Sequence, residues 1–352
     1  MEEQYPKPIN PYVRGSLVKT NDSISVTKKI LSESIHEFHG DFTGEPIWRI
    51  NAHSKSVRKI ILSKYYNNIV SASEDGFIKV WDKETGHLLR EFKHEENWVC
   101  ALADVIVNPE TDVDYFLFSA GKSGKLFRTT IDDYLIVEDI KAHNLIITDL
   151  AISKDNKLVA TASWDDRIKI WDIESLQLQV GFIGHNLGVN SIEFIDDKNV
   201  LATGGKDEKI KIWLPNGELI SELSGHKHWV EVVTYCPNKN ILASGSCDNT
   251  IKIWNWQEGR CLLTIENEEW INDLTFSEDG NFLVASCYNA SVKVFETKNF
   301  TQIALFQEHS KFHPFNHSIG RESTNWIYSV LFDDSSNKIF SASSDGCIYK
   351  WK

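Results

Sequence analysis

From residue 44 onward the chain runs in short stretches of alternating apolar and polar residues, broken by turns rich in Asn, Asp, Gly and Pro. Alternation with period two is the signature of strands covered on one or both faces. It is clearest in Ile251-Lys252-Ile253-Trp254. Around that run, the segments Val230–Tyr235, Ile241–Ser246, Thr250–Trp254 and Arg260–Ile265 predict four short strands in succession. The same layout recurs. His53, His143, His185 and His226 each precede a Trp (Trp81, Trp171, Trp213, Trp254) by 28 residues. An Asp (Asp75, Asp165, Asp207, Asp248) falls 22 residues after each His. Four strands in a unit of roughly 40 residues predict the blades of a β-propeller, since a helical solenoid would show a 3.6-residue period.

Three further copies depart from the pattern. In the second, Ser123-Gly124 stands in place of Asp-Gly and Thr129 in place of the last Trp, and an acidic insertion, Asn108 to Asp114, lengthens the unit. In the sixth, Asn267, Asn289 and Phe295 replace His, Asp and Trp. The seventh keeps Asp345 and Trp351, has Ser323 at the His position, and takes an insertion from Lys311 to Thr324. That makes seven units. The chain stops right after the strand Cys347–Trp351, so the last unit is one strand short. The segment Pro46–Ile50 before the first unit matches a blade's fourth strand. The expected fold is therefore all-β: a closed seven-bladed propeller of four-stranded antiparallel blades spanning 44–352, with the N-terminal strand completing the last blade and no sheet edge open between blades.

Residues 1–43 lie outside the repeat. The first part, with its prolines, reads as an extended tail, and about 25–38 shows a short helical stripe of Val26, Ile30, Leu31, Ile35 and Phe38. That stripe packs on the ring or docks on a partner. Composition narrows the function. Hydrophobic residues make up 41% of the chain, enough for a large core. No secretory signal or membrane-length apolar run is present, and the six cysteines are scattered without CxxC spacing, so the expectation is a cytoplasmic protein with reduced thiols. The net charge of −13 disfavours nucleic acid and suits a protein or peptide partner bearing a basic segment.

Gly184-His185, Gly225-His226, Trp81-Asp82 and Trp171-Asp172, in phase over seven units, resemble the WD40-repeat family across residues 44–352. The resemblance implies a Trp–hydroxyl–His–Asp network in each blade. A buried indole N–H can only donate, so it needs an acceptor, and the Ser two residues before the Asp is the candidate. This assigns structural sets His53/Ser73/Asp75/Trp81, His143/Ser163/Asp165/Trp171 and His226/Ser246/Asp248/Trp254, leaving the fourth copy incomplete because Gly205 lacks a hydroxyl. The resemblance also implies that three positions per unit open onto the ring's upper entrance. Trp98, Trp229, Trp270 and Trp326 stand just before the inner strand. Trp164, Lys206 and Tyr288 precede the turn Asp position. Arg58, Glu231 and Tyr328 follow two residues after the first set's position. Trp, Tyr and Arg dominate the energetic centres of interfaces, which makes this rim the candidate partner-binding face.

Other chemistry weighs less. Three equivalent Ser/His/Asp sets, each with a Trp to satisfy, are structural and not a catalytic triad. His309, His313 and His317 have helical metal-ligand spacing, but Pro314 lies among them. Gly121-Lys122-Ser123-Gly124-Lys125 lacks the spacing and the following helix of a phosphate loop. The lysines of the I-K-I-W runs read as the solvated half of the alternation. No catalytic, metal or cofactor residue is assigned. The expectation is a non-enzymatic interaction module: a scaffold, adaptor or sensor subunit of a hetero-complex, with the tail and the Lys311–Thr324 loop as second contacts. Two alternatives remain: a propeller enzyme with a hydrolytic or metal site at the channel mouth, for which the sequence offers no convergence of Asp, Glu and His, and an adaptor for chromatin or nucleic acid.

Overall fold

The computed structural model describes residues 42, 44–63, 67–94, 98–107, 114–130, 136–196, 198–307 and 325–352. The expected helix at about 25–38, the tail before it, the histidines at 309, 313 and 317, and the Lys311–Thr324 loop lie outside those residues.

The first strand among the described residues is β1 (Pro46–Asn51). Blade one is β2 (Val57–Leu62), β3 (Ile69–Ser73), β4 (Phe77–Trp81) and β5 (Leu88–Lys93). Blade two is β6 (Val99–Val107), β7 (Asp114–Gly121), β8 (Lys125–Thr130) and β9 (Ile136–Lys141). Blade three is β10 (Ile147–Ile152), β11 (Leu158–Ser163), β12 (Arg167–Asp172) and β13 (Leu178–Ile183). Blade four is β14 (Val189–Phe194), β15 (Leu201–Gly205), β16 (Lys209–Trp213) and β17 (Leu219–Ser224). Blade five is β18 (Val230–Cys236), β19 (Ile241–Ser246), β20 (Thr250–Asn255) and β21 (Arg260–Glu266). Blade six is β22 (Ile271–Phe276), β23 (Phe282–Cys287), β24 (Val292–Glu296) and β25 (Thr301–Phe306). Blade seven is β26 (Ile327–Asp333), β27 (Lys338–Ser343) and β28 (Cys347–Trp351), completed by β1 in the order β1-β28-β27-β26. The fold is a seven-bladed propeller of four-stranded antiparallel sheets.

The core sits between blades. One hydrophobic cluster joins Ala101, Phe118 and Leu126 of blade two to Ile147, Leu150 and Trp171 of blade three, and another joins Ile60 and Trp81 to Phe340 and Ile348. Second strands such as β3 and β15 are buried throughout because both their faces meet neighbouring sheets, whereas the outer β5 is largely exposed. Closure rests on the antiparallel register Trp48↔Lys350, Arg49↔Tyr349 and Ile50↔Ile348. Two buried ammonium groups then bind blade seven to blade one. Lys83 Nζ donates to Asp333 at 2.9 Å, Ser335 at 2.7 Å and Asn67 at 2.8 Å. Lys350 Nζ donates to the Lys83 carbonyl at 3.0 Å and to Glu84 at 2.6 Å. Every donor of Lys83 has an acceptor, which is what makes a buried cation tolerable. Phe42, ahead of β1, is itself buried, edge-on to Phe282 at 5.6 Å.

The Trp network exists, with a different hydroxyl from the one expected. Trp81 Nε1 donates to Ser71 at 2.8 Å, and His53 Nε2 meets the same oxygen at 2.8 Å. Trp171 and His143 share Thr161 at 3.2 and 2.6 Å, and Trp254 and His226 share Ser244 at 2.8 and 2.7 Å. The bridging residue thus stands four before the Asp. Ser73, Ser163 and Ser246 point to the same side but one step nearer the hairpin, where each accepts the N–H of its Asp (Asp75, Asp165, Asp248) at 3.0–3.1 Å. The fourth copy is complete after all: Thr203 receives Trp213 at 2.9 Å and His185 at 2.8 Å, and His185 Nδ1 meets Asp207 at 2.7 Å. Gly205 has no hydroxyl to lose from it. Since Asp only accepts, each imidazole donates to it from Nδ1, and since Trp only donates, the hydroxyl oxygen receives the indole proton. Burial lowers the pKa of His53, His143 and His185 against the pull of their Asp partners. Burial alone would raise Asp75, but hydrogen bonds from His53 and the N–H groups of Phe77 and Ser54 hold it well below the usual carboxylate range. The I-K-I-W lysines also depart from expectation. Lys211 donates to the Gly184 carbonyl at 2.8 Å, and Lys79, Lys169 and Lys211 each lie 5.7 Å over the blade Trp, half-buried and not simply solvated.

Blade two keeps only the His–hydroxyl half. His94 Nε2 meets Ser119 at 3.1 Å and its ring stands edge-on to Phe127 at 4.0 Å, but Ser123 supplies no carboxylate. Burial takes the His94 pKa to about 4.

Two outcomes follow for stability. Ser71→Ala removes the acceptor of a buried indole N–H and the partner of His53, and should cost ~1–3 kcal/mol in urea denaturation. For His94, a folded pKa near 4 lies below the ordinary 6.5, so its contribution is fully present above pH 6.5 and is lost as pH falls toward 4. Unfolding free energies from urea denaturation at pH 7.5 and pH 5 should differ by about 2 kcal/mol from this group alone, with the lower value at pH 5. Ser123→Asp, by giving His94 a carboxylate, should shrink that difference.

Candidate functional site

The channel mouth is built by a defect repeated in every blade. Each inner strand pairs with its neighbour through a register shift between its first and third residues, as at Val57/Lys59, Ile147/Asp149 and Val230/Val232. A β-bulge leaves the middle residue unpaired and re-aims its side chain. That residue is Arg58, Cys100, Thr148, Asn190, Glu231, Asn272 or Tyr328. Four of the seven are spent on the ring, each donating to the first inner-strand carbonyl of the next blade: Cys100 to Ile147 at 3.0 Å, Thr148 to Val189 at 2.8 Å, Asn190 to Val230 at 3.1 Å and Asn272 to Ile327 at 2.9 Å. Arg58, Glu231 and Tyr328 make no such bond.

Backbone bonds set the other two rim positions together. The residue before the Asp position donates its N–H to the carbonyl of the residue before the inner strand: Lys122 to Trp98, Trp164 to Ile146, Cys247 to Trp229, Tyr288 to Trp270 and Ser344 to Trp326. The side chains held there form a continuous arc. Lys122 lies 5.5 Å over Trp98, and Arg58 lies 5.4 Å over Trp98 and 4.1 Å over Tyr328. Tyr328 meets Trp326 edge-on at 6.0 Å, Trp326 stacks on Tyr288 at 4.5 Å, and Tyr288 touches Trp270 at 4.9 Å. His228 stacks on Trp270 at 6.1 Å and packs on Trp229 at 5.3 Å. Lys206 then sits 4.8 Å from Trp229 and 3.5 Å from Trp164. Six of the seven blade junctions are bridged in this way. Trp164, Trp229, Trp270 and Trp326 keep 36–41% of their surface exposed. Trp98 is half-buried under its two cations. Of the ten rim residues read from sequence, nine belong to the arc and Glu231 stands inside it. Lys122 and His228 join the arc without having been singled out, because their role depends on which aromatic ring stands next to them in space.

Below the mouth, the channel holds a cluster that the sequence did not announce. Asp149, Glu193 and Asp273 face it with Lys59, around a cavity of about 380 Å³. Lys59 lies 4.0 Å from Asp149. Asp273 is the first cause of the raised Lys59 pKa. Burial raises Asp149 and takes Glu193 to about 8. The convergence of carboxylates was not expected; its use is structural. Asp149 accepts the Ile192 N–H at 3.0 Å, Glu193 the Tyr235 N–H at 3.1 Å and Asp273 the Val330 N–H at 3.0 Å, so each pins the next blade's inner strand. The only available signal was a charge in an otherwise apolar inner strand, with Asp149 and Asp273 in the same repeat position. Among the described residues no group of three or more His, Cys, Asp or Glu has the arrangement to hold a metal ion.

A family model of the WD40 repeat (WD domain, G-beta repeat) matches residues 44–82, 135–172, 176–213, 217–255, 259–296 and 315–352, more than half of the chain. The first three strands of blade two, β6 to β8, which lack the Asp and Trp, fall in the unmatched stretch between 82 and 135. The chain is similar to nuclear distribution protein nudF of Aspergillus flavus, 28% identical over 127 residues, covering 36% of this chain and 27% of the relative. It is similar to human pre-mRNA-processing factor 17, 29% identical over 121 residues (34% and 20%). It is also similar to the guanine nucleotide-binding protein subunit beta of Saccharomyces cerevisiae, 26% identical over 129 residues (35% and 29%). The matched stretches thus span less than a third of these curated relatives.

Hydroxyl-radical footprinting read by mass spectrometry should oxidise Trp164, Trp229, Trp270 and Trp326 readily in the folded protein. Trp81, Trp171, Trp213, Trp254 and Trp351, buried at the blade ends, should react only after denaturation.

Proposed function

The chain belongs to the WD40 repeat family, and from that premise we propose that it is a non-enzymatic scaffold or adaptor subunit of a multiprotein complex, holding a protein or peptide partner on its aromatic upper rim. The observation that supports this reading is the unbroken arc from Lys122 to Trp164, with four indoles open to solvent. Large amphipathic rings that are already ordered lose little freedom on binding, and Trp, Tyr and Arg are the residues on which interface energy concentrates. Leu145 and Leu187, exposed on blades three and four, extend the apolar part of this face. A role inside an assembly fits the relative that is a guanine nucleotide-binding protein subunit. The net charge of −13 favours a partner that presents a basic segment. All six cysteines are free thiols, which suits a cytoplasmic setting.

Affinity purification of the intact chain from its native cell, with mass spectrometry, tests the rim. A Trp229→Ala/Trp270→Ala/Trp326→Ala variant that keeps the wild-type circular dichroism should lose the main partner. Retention of every partner by the folded variant would remove the upper face as the docking site.

A further inference from the structure

Within that reading, on which this step rests, we propose that the channel mouth receives the ammonium or guanidinium head of one basic side chain from the partner, seated against the carboxylate of Glu231. The mouth encloses about 150 Å³, bounded by Arg58, Cys100, Trp164, Asn190, Glu231 and Tyr328 among others. A void of that size takes one benzene-sized group, and no more.

Glu231 is the one bulge residue that is purely an acceptor where four of the others donate. The hydrogen bond it receives comes from the Cys247 thiol at 3.2 Å, a weak donor. Among the described residues no ammonium or guanidinium stands within salt-bridge distance of it. The resident cations are engaged elsewhere. Arg58 faces Glu74 at 3.6 Å and lies between Tyr328 and Trp98; Lys59 is shared by Asp149 and Asp273; Lys206 rests on the Trp164 ring.

Asp149, Glu231 and Asp273 line the mouth with Arg58 and Lys59, and Lys206 stands at the rim, so Glu231 is the carboxylate there without a cation of its own. Burial pushes Glu231 above its ordinary value against the pull of Lys206, Arg58 and His228, none of which reaches it as an ion pair. A cation entering from above finds acceptors below it and aromatic faces around its stem, and charge in this half-dry setting is screened less than at an open surface. An anionic group would meet Glu231 instead.

The test uses the full chain and displayed random peptides selected on it. Peptides whose binding is lost on the Trp229→Ala/Trp270→Ala variant are kept as rim-dependent. In each, every Arg is replaced by citrulline and every Lys by norleucine, one at a time. The expected result is a single basic position whose neutralisation weakens binding about tenfold or more on the wild type and has little further effect on Glu231→Gln. Because the peptide is changed and not the protein, the first half of the result does not depend on how well the near-isosteric Glu231→Gln folds. Rim-dependent peptides with no such basic position, or with an acidic position coupled to Arg58, overturn the proposal and leave the rim reading intact. Failure to recover any rim-dependent peptide would overturn both.

Discussion

A buried indole N–H must give its proton to something, and in five blades it gives it to a hydroxyl on the second strand: Ser71, Thr161, Thr203, Ser244 or Ser341. Among the described residues, four of these hydroxyls are then committed to the His beyond the preceding outer strand, and the His to the Asp in the hairpin. Two loops far apart in sequence are thereby clamped together at the top of the blade. The backbone bond between the residue before the Asp position and the residue before the inner strand is made with the clamp and without it: Lys122 to Trp98 and Tyr288 to Trp270 form it where no His–Asp pair stands. The rim side chains are placed by that backbone bond, which the clamp reinforces in four blades.

The blades that depart from the network show what it is not needed for. In blade seven the Phe306 ring stacks on Trp351 at 4.9 Å and Tyr349 at 5.1 Å on the way to the closure strand. Blade two replaces the Trp by Thr129 and sets Phe127 against His94. Hydrophobic packing between sheets holds all seven blades, so single networks can be exchanged for ring contacts at a modest cost in stability. The bulge in the inner strand is kept by all seven, because without it the side chain at the mouth would fall back into the alternation and point between blades.

What residues near one another in sequence can specify was legible in the chain alone. Period-two alternation gave the strands, the constant His–Asp–Trp spacing of four units framed three imperfect copies to make seven, and the last of them was completed by Pro46–Ile50. These rest on local geometry repeated many times, where chance agreement is small. The resemblance to the family supplied which repeat positions open onto the channel mouth, and the repeat then listed the residues that occupy them. Three matters waited for the tertiary structure. Ser71 and Ser73 lie two apart on the same side of one strand, and only the reach of the Trp81 ring across the sheet decides between them. Arg58, Glu231 and Tyr328 differ from Cys100, Thr148, Asn190 and Asn272 only in whether a carbonyl of the next blade receives a hydrogen bond, a contact between strands some forty residues apart. The gathering of Asp149, Glu193 and Asp273 around Lys59 is a product of closure. Charges spread over four blades become neighbours only when the ring brings their inner strands to a common axis.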